Sequence, residues 1–149
     1  MAWTERAMAH RAGRQNQYGT SLHFKKKGAD IKETINNVTK NFMECIEKNK
    51  AEIATICKRR EIDPKEVIDA GSDENAVQTY STKMEAGLGN NKTNSLIREL
   101  QDDITTLKVN ASNIESFEQD IASLERIQKN IEPAREFDLS YNELVEFGF

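Results

Sequence analysis

Two long stretches of this chain contain almost nothing that would stop a helix, and they limit what it can fold into. No glycine or proline lies within residues 29–63, and Pro133 is the only one between residues 90 and 147. Inside a helix a glycine costs about 1 kcal/mol and a proline about 3 kcal/mol relative to alanine, so spans free of both are natural places for long helices. In the first span, Ile31, Ile35, Val38, Phe42, Cys45 or Ile46, Ile53, Ile56 and Cys57 recur at intervals that keep one helical face apolar. Asp30, with Glu33 three residues on, reads as a capping box at its start. Lys58, Arg59 and Arg60 place cations at the negative pole of its dipole. The pattern predicts a helix over residues 30–61.

The second span carries the longer repeat. Ile97, Leu100, Ile104, Leu107, Ala111 and Ile114 alternate at three and four. Phe117, Ile121, Leu124, Ile127 and Ile131 continue after a slip of one position. Such a repeat is the seam of a coiled coil or an antiparallel bundle. The slip coincides with VNAS, residues 109–112, where Ser112 and Glu115 offer a second capping box, so two helices could meet there. We read the span as one helix of about 93–132 with a local irregularity, stopped by Pro133.

Shorter signals fill the remainder. Asp63-Pro64 supplies an N-cap and a favoured first position, Glu66 follows, and Gly71 ends a short helix. A further helix starts near Ser72 or Asp73, with Val77, Tyr80, Met84 and Leu88 on one face. Ser140 and Glu143 form a last capping box, with Leu139 and Leu144 placed as a hydrophobic staple for a helix over about 140–147. TSLHFK, residues 20–25, reads as a possible strand, but one for which no partner is evident.

Charge divides the chain. Residues 1–27 hold Arg6, Arg11, Arg14, Lys25, Lys26 and Lys27 against Glu5, although the whole chain has a net charge of −4. A basic leader on an acidic body suits a nucleic acid, an anionic membrane or an acidic protein surface. Trp3, Tyr18 and Phe24 are interspersed with these cations, a mixture that stacks on single-stranded bases while neutralising phosphates. The same mixture fits a solvated tail or a segment that orders on a protein partner.

Several chemistries find little support. The window AGLGNNKT, residues 86–93, sets Lys92 and Thr93 as a phosphate-binding loop would, but Ala86 and Asn91 stand where that motif needs glycine. The preceding TYSTKME also reads as helix rather than strand, so Gly87 and Gly89 are expected in an interhelical turn. Residues 63–80 have the parts of a helix-turn-helix, yet Asp73 and Glu74 would face DNA phosphates with negative charge. Cys45 and Cys57 are twelve residues apart, roughly 18 Å along a helix, whereas a disulfide needs Cα atoms within about 7 Å. Neither cysteine has a placed base, and no CxxC or HExxH spacing offers a metal. Asp102, Asp103, Glu118 and Asp120 fall off the seam and read as solvated faces. No secretory signal or membrane-spanning run is recognisable, which points to a cytoplasmic chain, with export by a specialised system left open.

These observations predict an all-α fold: an antiparallel helical bundle or coiled-coil hairpin over residues 28–149, behind a basic, largely irregular leader over 1–27. The expected function is non-enzymatic protein–protein interaction or self-association, with no cofactor or small-molecule substrate. Ile97, Leu100, Ile104, Leu107, Ile114, Phe117, Ile121 and Leu124 are the expected contact residues. The alternative is a nucleic-acid-binding accessory protein gripping phosphates with Arg6, Arg11, Arg14 and Lys25–Lys27.

Overall fold

A computed structural model describes residues 23–143. The order is β1 (His23–Lys27), α1 (Gly28–Arg60), α2 (Pro64–Ala70), α3 (Glu74–Ala86), α4 (Asn94–Lys129) and β2 (Glu136–Ser140). The fold is helical, as the Gly/Pro-free spans require, apart from one two-stranded ribbon. The second span forms one continuous helix, so Ser112 and Glu115 do not start a new one. No helix among the described residues is long and apolar enough to cross a membrane.

The chain divides into two compact units. One is contiguous, residues 44–117; the other joins the described residues 23–43 to 118–143. Helices α1 and α4 contribute to both.

In the contiguous unit, α1 and α4 run antiparallel: Asn49 accepts a hydrogen bond from Asn113 at 3.4 Å, while Arg60, further along α1, meets Asp103, earlier in α4. Its core includes Ile53, Cys57, Val67, Tyr80, Leu107 and Ile114, each almost wholly removed from water. Burying an aliphatic side chain of this size stabilises by about 1.5–3 kcal/mol.

Local signals set the corners of this unit. The Asp63 carboxylate accepts from Lys65 N at 3.0 Å, so the predicted cap forms, and of Ser72 and Asp73 it is Asp73 that caps α3, accepting from Asn75 N at 3.0 Å. Gly71, between them, has φ +53°, where a β-carbon is disfavoured. Glu115 accepts from Ser72 N at 3.0 Å and so secures this turn from α4. The 87–93 segment is an interhelical turn, with Gly89 at φ +59°. Thr93 Oγ1 accepts from Leu96 N at 3.2 Å, so Thr93 caps α4.

In the other unit, Ile31, Ile35, Leu124 and Leu139 form a buried cluster, with Val38, Phe42, Ile127, Ile131 and Phe137 packed against it. Gln128 Nε2 donates to the Lys32 carbonyl at 3.2 Å and to Asn36 Oδ1 at 2.6 Å. The Ser140–Glu143 capping box closes reciprocally: Ser140 N donates to Glu143 Oε1 at 3.1 Å, and Glu143 N to Ser140 Oγ at 3.2 Å. Leu144, the expected second half of the staple, lies outside the described residues.

Three expectations need correction. Asp30 is not the cap of α1, which already begins at Gly28. The first free amides of that helix, Gly28 N and Ala29 N, donate instead to the carbonyls of Arg135 and Pro133, at 2.8 and 3.0 Å. The strand suspected near residues 20–25 is real over 23–27 and has a partner, β2, which takes Lys25–Lys27 out of an irregular leader. Asp103 and Asp120 are not solvated: the Asp103 side chain is 16% exposed beneath two arginines, and Asp120 is 3% exposed. Asp102 and Glu118 do face water.

Candidate interaction surface

Where the structure places the apolar stripe changes its meaning. Leu100, Leu107, Ile114 and Leu124 are 0–3% exposed, sealed by the chain's own helices. Ile97, Ile104, Phe117 and Ile121 are half-buried. As a contact set for a partner, the eight-residue seam is therefore revised: its buried members are core, and they reach a partner only if the fold opens. Periodicity correctly marks the face that leaves water, but not the molecule that covers it. Of the predicted basic contacts, Arg6, Arg11 and Arg14 lie outside the described residues, and Lys25, Lys26 and Lys27 lie in β1.

The ribbon is antiparallel, with Phe24 opposite Leu139, Lys25 opposite Asp138, Lys26 opposite Phe137 and Lys27 opposite Glu136. Directly opposed residues share a face, so one face carries Phe24, Lys26, Phe137 and Leu139. Leu139 is buried on it, and the Arg135 guanidinium lies 4.9 Å from the Phe137 ring centroid, a cation–π contact. The other face carries Lys25 and Lys27 against Asp138 and Glu136. These lysines thus face carboxylates across the ribbon, which reduces the positive field they offer a phosphate backbone.

Two aromatic side chains are left in water near one end of the ribbon. Phe24 is 38% exposed, and Tyr141, which follows the last residue of β2, is 63% exposed. In the sequence alone Phe24 belongs to the basic leader, and nothing marks Tyr141 as a contact. The available signal was the alternation of acidic and apolar residues in Glu136-Phe137-Asp138-Leu139, a strand period matched to the lysines of HFKKK.

The contiguous unit holds an open polar cleft of about 440 Å³ lined by Arg59, Arg60, Glu99, Asp102 and Asp103. Arg59 Nη2 and Arg60 Nε each reach one oxygen of Asp103, at 2.8 Å. The arginines at the end of α1 thus fasten it to α4, besides opposing its dipole.

Cys57 and Tyr80 lie in the same unit. Burial, reinforced by Asp63 and Glu66, pushes the Cys57 thiol up to about 11, so it stays protonated and a poor nucleophile at neutral pH. Tyr80 is also pushed up, by burial and then by Cys57, and its buried hydroxyl has no hydrogen-bond partner among the described residues. Among those residues, no cluster of His, Cys, Asp or Glu could hold a metal ion. Comparison with known protein families, characterised proteins and solved structures returned no match to this chain.

Proposed function

We propose that this chain is a non-enzymatic, cytoplasmic protein-interaction module whose contact surface is the β1–β2 ribbon rather than the apolar stripe of α4. The observation that carries this reading is the exposure of Phe24 and Tyr141 beside a ribbon that has no third strand among the described residues. Aromatic side chains are enriched at the energetic centres of protein interfaces, and solvent exposure of large apolar groups is a cost that binding removes. Within its own unit the ribbon is mounted on the buried cluster of Ile31, Ile35, Leu124 and Leu139. The nucleic-acid alternative has less support, because Lys25 and Lys27 already oppose Asp138 and Glu136.

The test uses the full chain to recover a partner from its native cells, followed by titration of the purified pair. A double variant, Phe24→Ala with Tyr141→Ala, should bind at least about tenfold more weakly, since interface hot spots are worth about 2 kcal/mol or more. Equal binding by the double variant, or retention of nucleic acid alone, would overturn the reading.

A further inference from the structure

The ribbon's hydrogen-bonding register shows what its free edge can take. Gly28 N donates to the Arg135 carbonyl at 2.8 Å, and this pair continues the register by one step beyond Lys27 and Glu136. Antiparallel ladders alternate hydrogen-bonded and non-hydrogen-bonded pairs. Phe24/Leu139 and Lys26/Phe137 are therefore the hydrogen-bonded pairs, and the backbone N–H and C=O groups of Lys25 and Lys27 point away from β2. Among the described residues β1 has one strand neighbour, so this outward row is unpaired. Both lysines are exposed.

We propose that the outer edge of β1 binds an extended segment of a partner protein by strand addition, and that the segment alternates acidic and apolar residues. The proposal rests on the protein-interaction reading above and names the partner's chemistry. The chain supplies the template: on its inner edge β1 already pairs with Glu-Phe-Asp-Leu, which sets carboxylates against Lys25 and Lys27 and an apolar residue against Phe24. An incoming strand of the same pattern places its acids on the lysine face and pairs its backbone with the outward groups of Lys25 and Lys27. A second β1 is a poor occupant: antiparallel pairing centred on Lys25 opposes lysine to lysine, which is destabilising.

The probe is a fluorescein-labelled, end-blocked peptide built on Glu-Phe-Asp-Leu-Ser, followed by fluorescence anisotropy with the full chain. Two controls are used: a peptide with lysine replacing its acids, and a peptide methylated on the alternate backbone nitrogens that would donate to β1. Both should bind at least about tenfold more weakly, because one removes charge complementarity and the other removes the edge hydrogen bonds. On the protein, Lys25→Pro deletes an outward N–H while sparing the ladder to β2, and proline is tolerated at such edge positions. It should abolish peptide binding. The variant Lys25→Thr with Lys27→Thr keeps a strand-compatible backbone and should weaken binding while thermal unfolding stays near wild type.

An N-methylated peptide that binds within about twofold of its parent would overturn strand addition, because those hydrogen bonds are its defining contact. Absence of peptide binding, with the purified partner still sensitive to Tyr141→Ala, would overturn the edge proposal alone. Concentration-dependent self-association without peptide binding would replace the partner strand with β2 of a second copy, and so overturn the occupant named here. Insensitivity of the purified partner to both the edge and the aromatic variants would remove the ribbon reading as well.

Discussion

Asp103 accepts two arginines at the same distance, 2.8 Å, yet the two bonds should differ several-fold in worth. The Arg60 side chain is 17% exposed and meets a carboxylate that is 16% exposed, so both partners are largely shielded from water. A hydrogen bond to a charged group in such a place contributes about 1.5–3 kcal/mol. The Arg59 side chain is 59% exposed, where water screens the pair and side-chain entropy opposes it, leaving about 0–1 kcal/mol. Two double-mutant cycles measure this directly, Arg60→Ala with Asp103→Ala and Arg59→Ala with Asp103→Ala, each read from urea midpoints. The expected coupling is at least about twice as large for Arg60, and raising salt to about 1 M should reduce the Arg59 coupling more than that of Arg60. A coupling for Arg59 equal to or above that for Arg60 would refute the claim that burial, not distance, sets the worth of these bonds.

Three other outcomes follow from the packing. A β-carbon at Gly28 would collide with the Glu132 backbone, so Gly28→Ala should cost about 1–3 kcal/mol in urea unfolding, whereas Gly89→Ala would meet open space and suffer only the strain of φ +59°. Leu107→Ala should destabilise by about 2–5 kcal/mol, while Val109→Ala, at a side chain 52% exposed, should stay within about 0.5 kcal/mol; comparable costs would mean the stripe is not core. The Cys57 thiol is raised from the ordinary 9.0 of a solvated thiol to about 11 in the fold, so its stabilising effect is complete below about 9 and is lost as pH rises towards 11. Urea midpoints at pH near 8 and near 10.5 should therefore diverge more in wild type than in Cys57→Ala, and an identical slope in both would count against the buried thiol as the cause.

Much of the fold was legible because its signals are local. Asp63, Gly71, Asp73 and the Ser140–Glu143 box each act within four residues, and each forms as read. The ribbon was not legible, since β1 offers three successive lysines and its partner lies more than a hundred residues away. Asp30 is not a cap because the first amides of α1 are satisfied by the carbonyls of Pro133 and Arg135, remote in sequence. Asp103 reads as solvated on a single-helix projection, which carries no information about Arg59 and Arg60 forty-odd residues earlier. For the candidate site, the basic residues Lys25–Lys27 were visible but their acidic counterparts were not. The stripe of α4 was visible too, but Leu100, Leu107, Ile114 and Leu124 within it are covered by the chain itself.

The unequal continuity of the two units has a consequence in time. Residues 44–117 form an unbroken segment and leave the ribosome as one stretch, whereas the unit holding the ribbon needs residues from both sides of that segment. Phe24 and its partner Leu139 are 115 positions apart. At about 5–20 residues per second, β1 emerges roughly 6–23 s before the strand that pairs with it. Throughout that interval both of its edges are open, and three consecutive lysines discourage adventitious pairing between nascent chains until the acidic strand arrives.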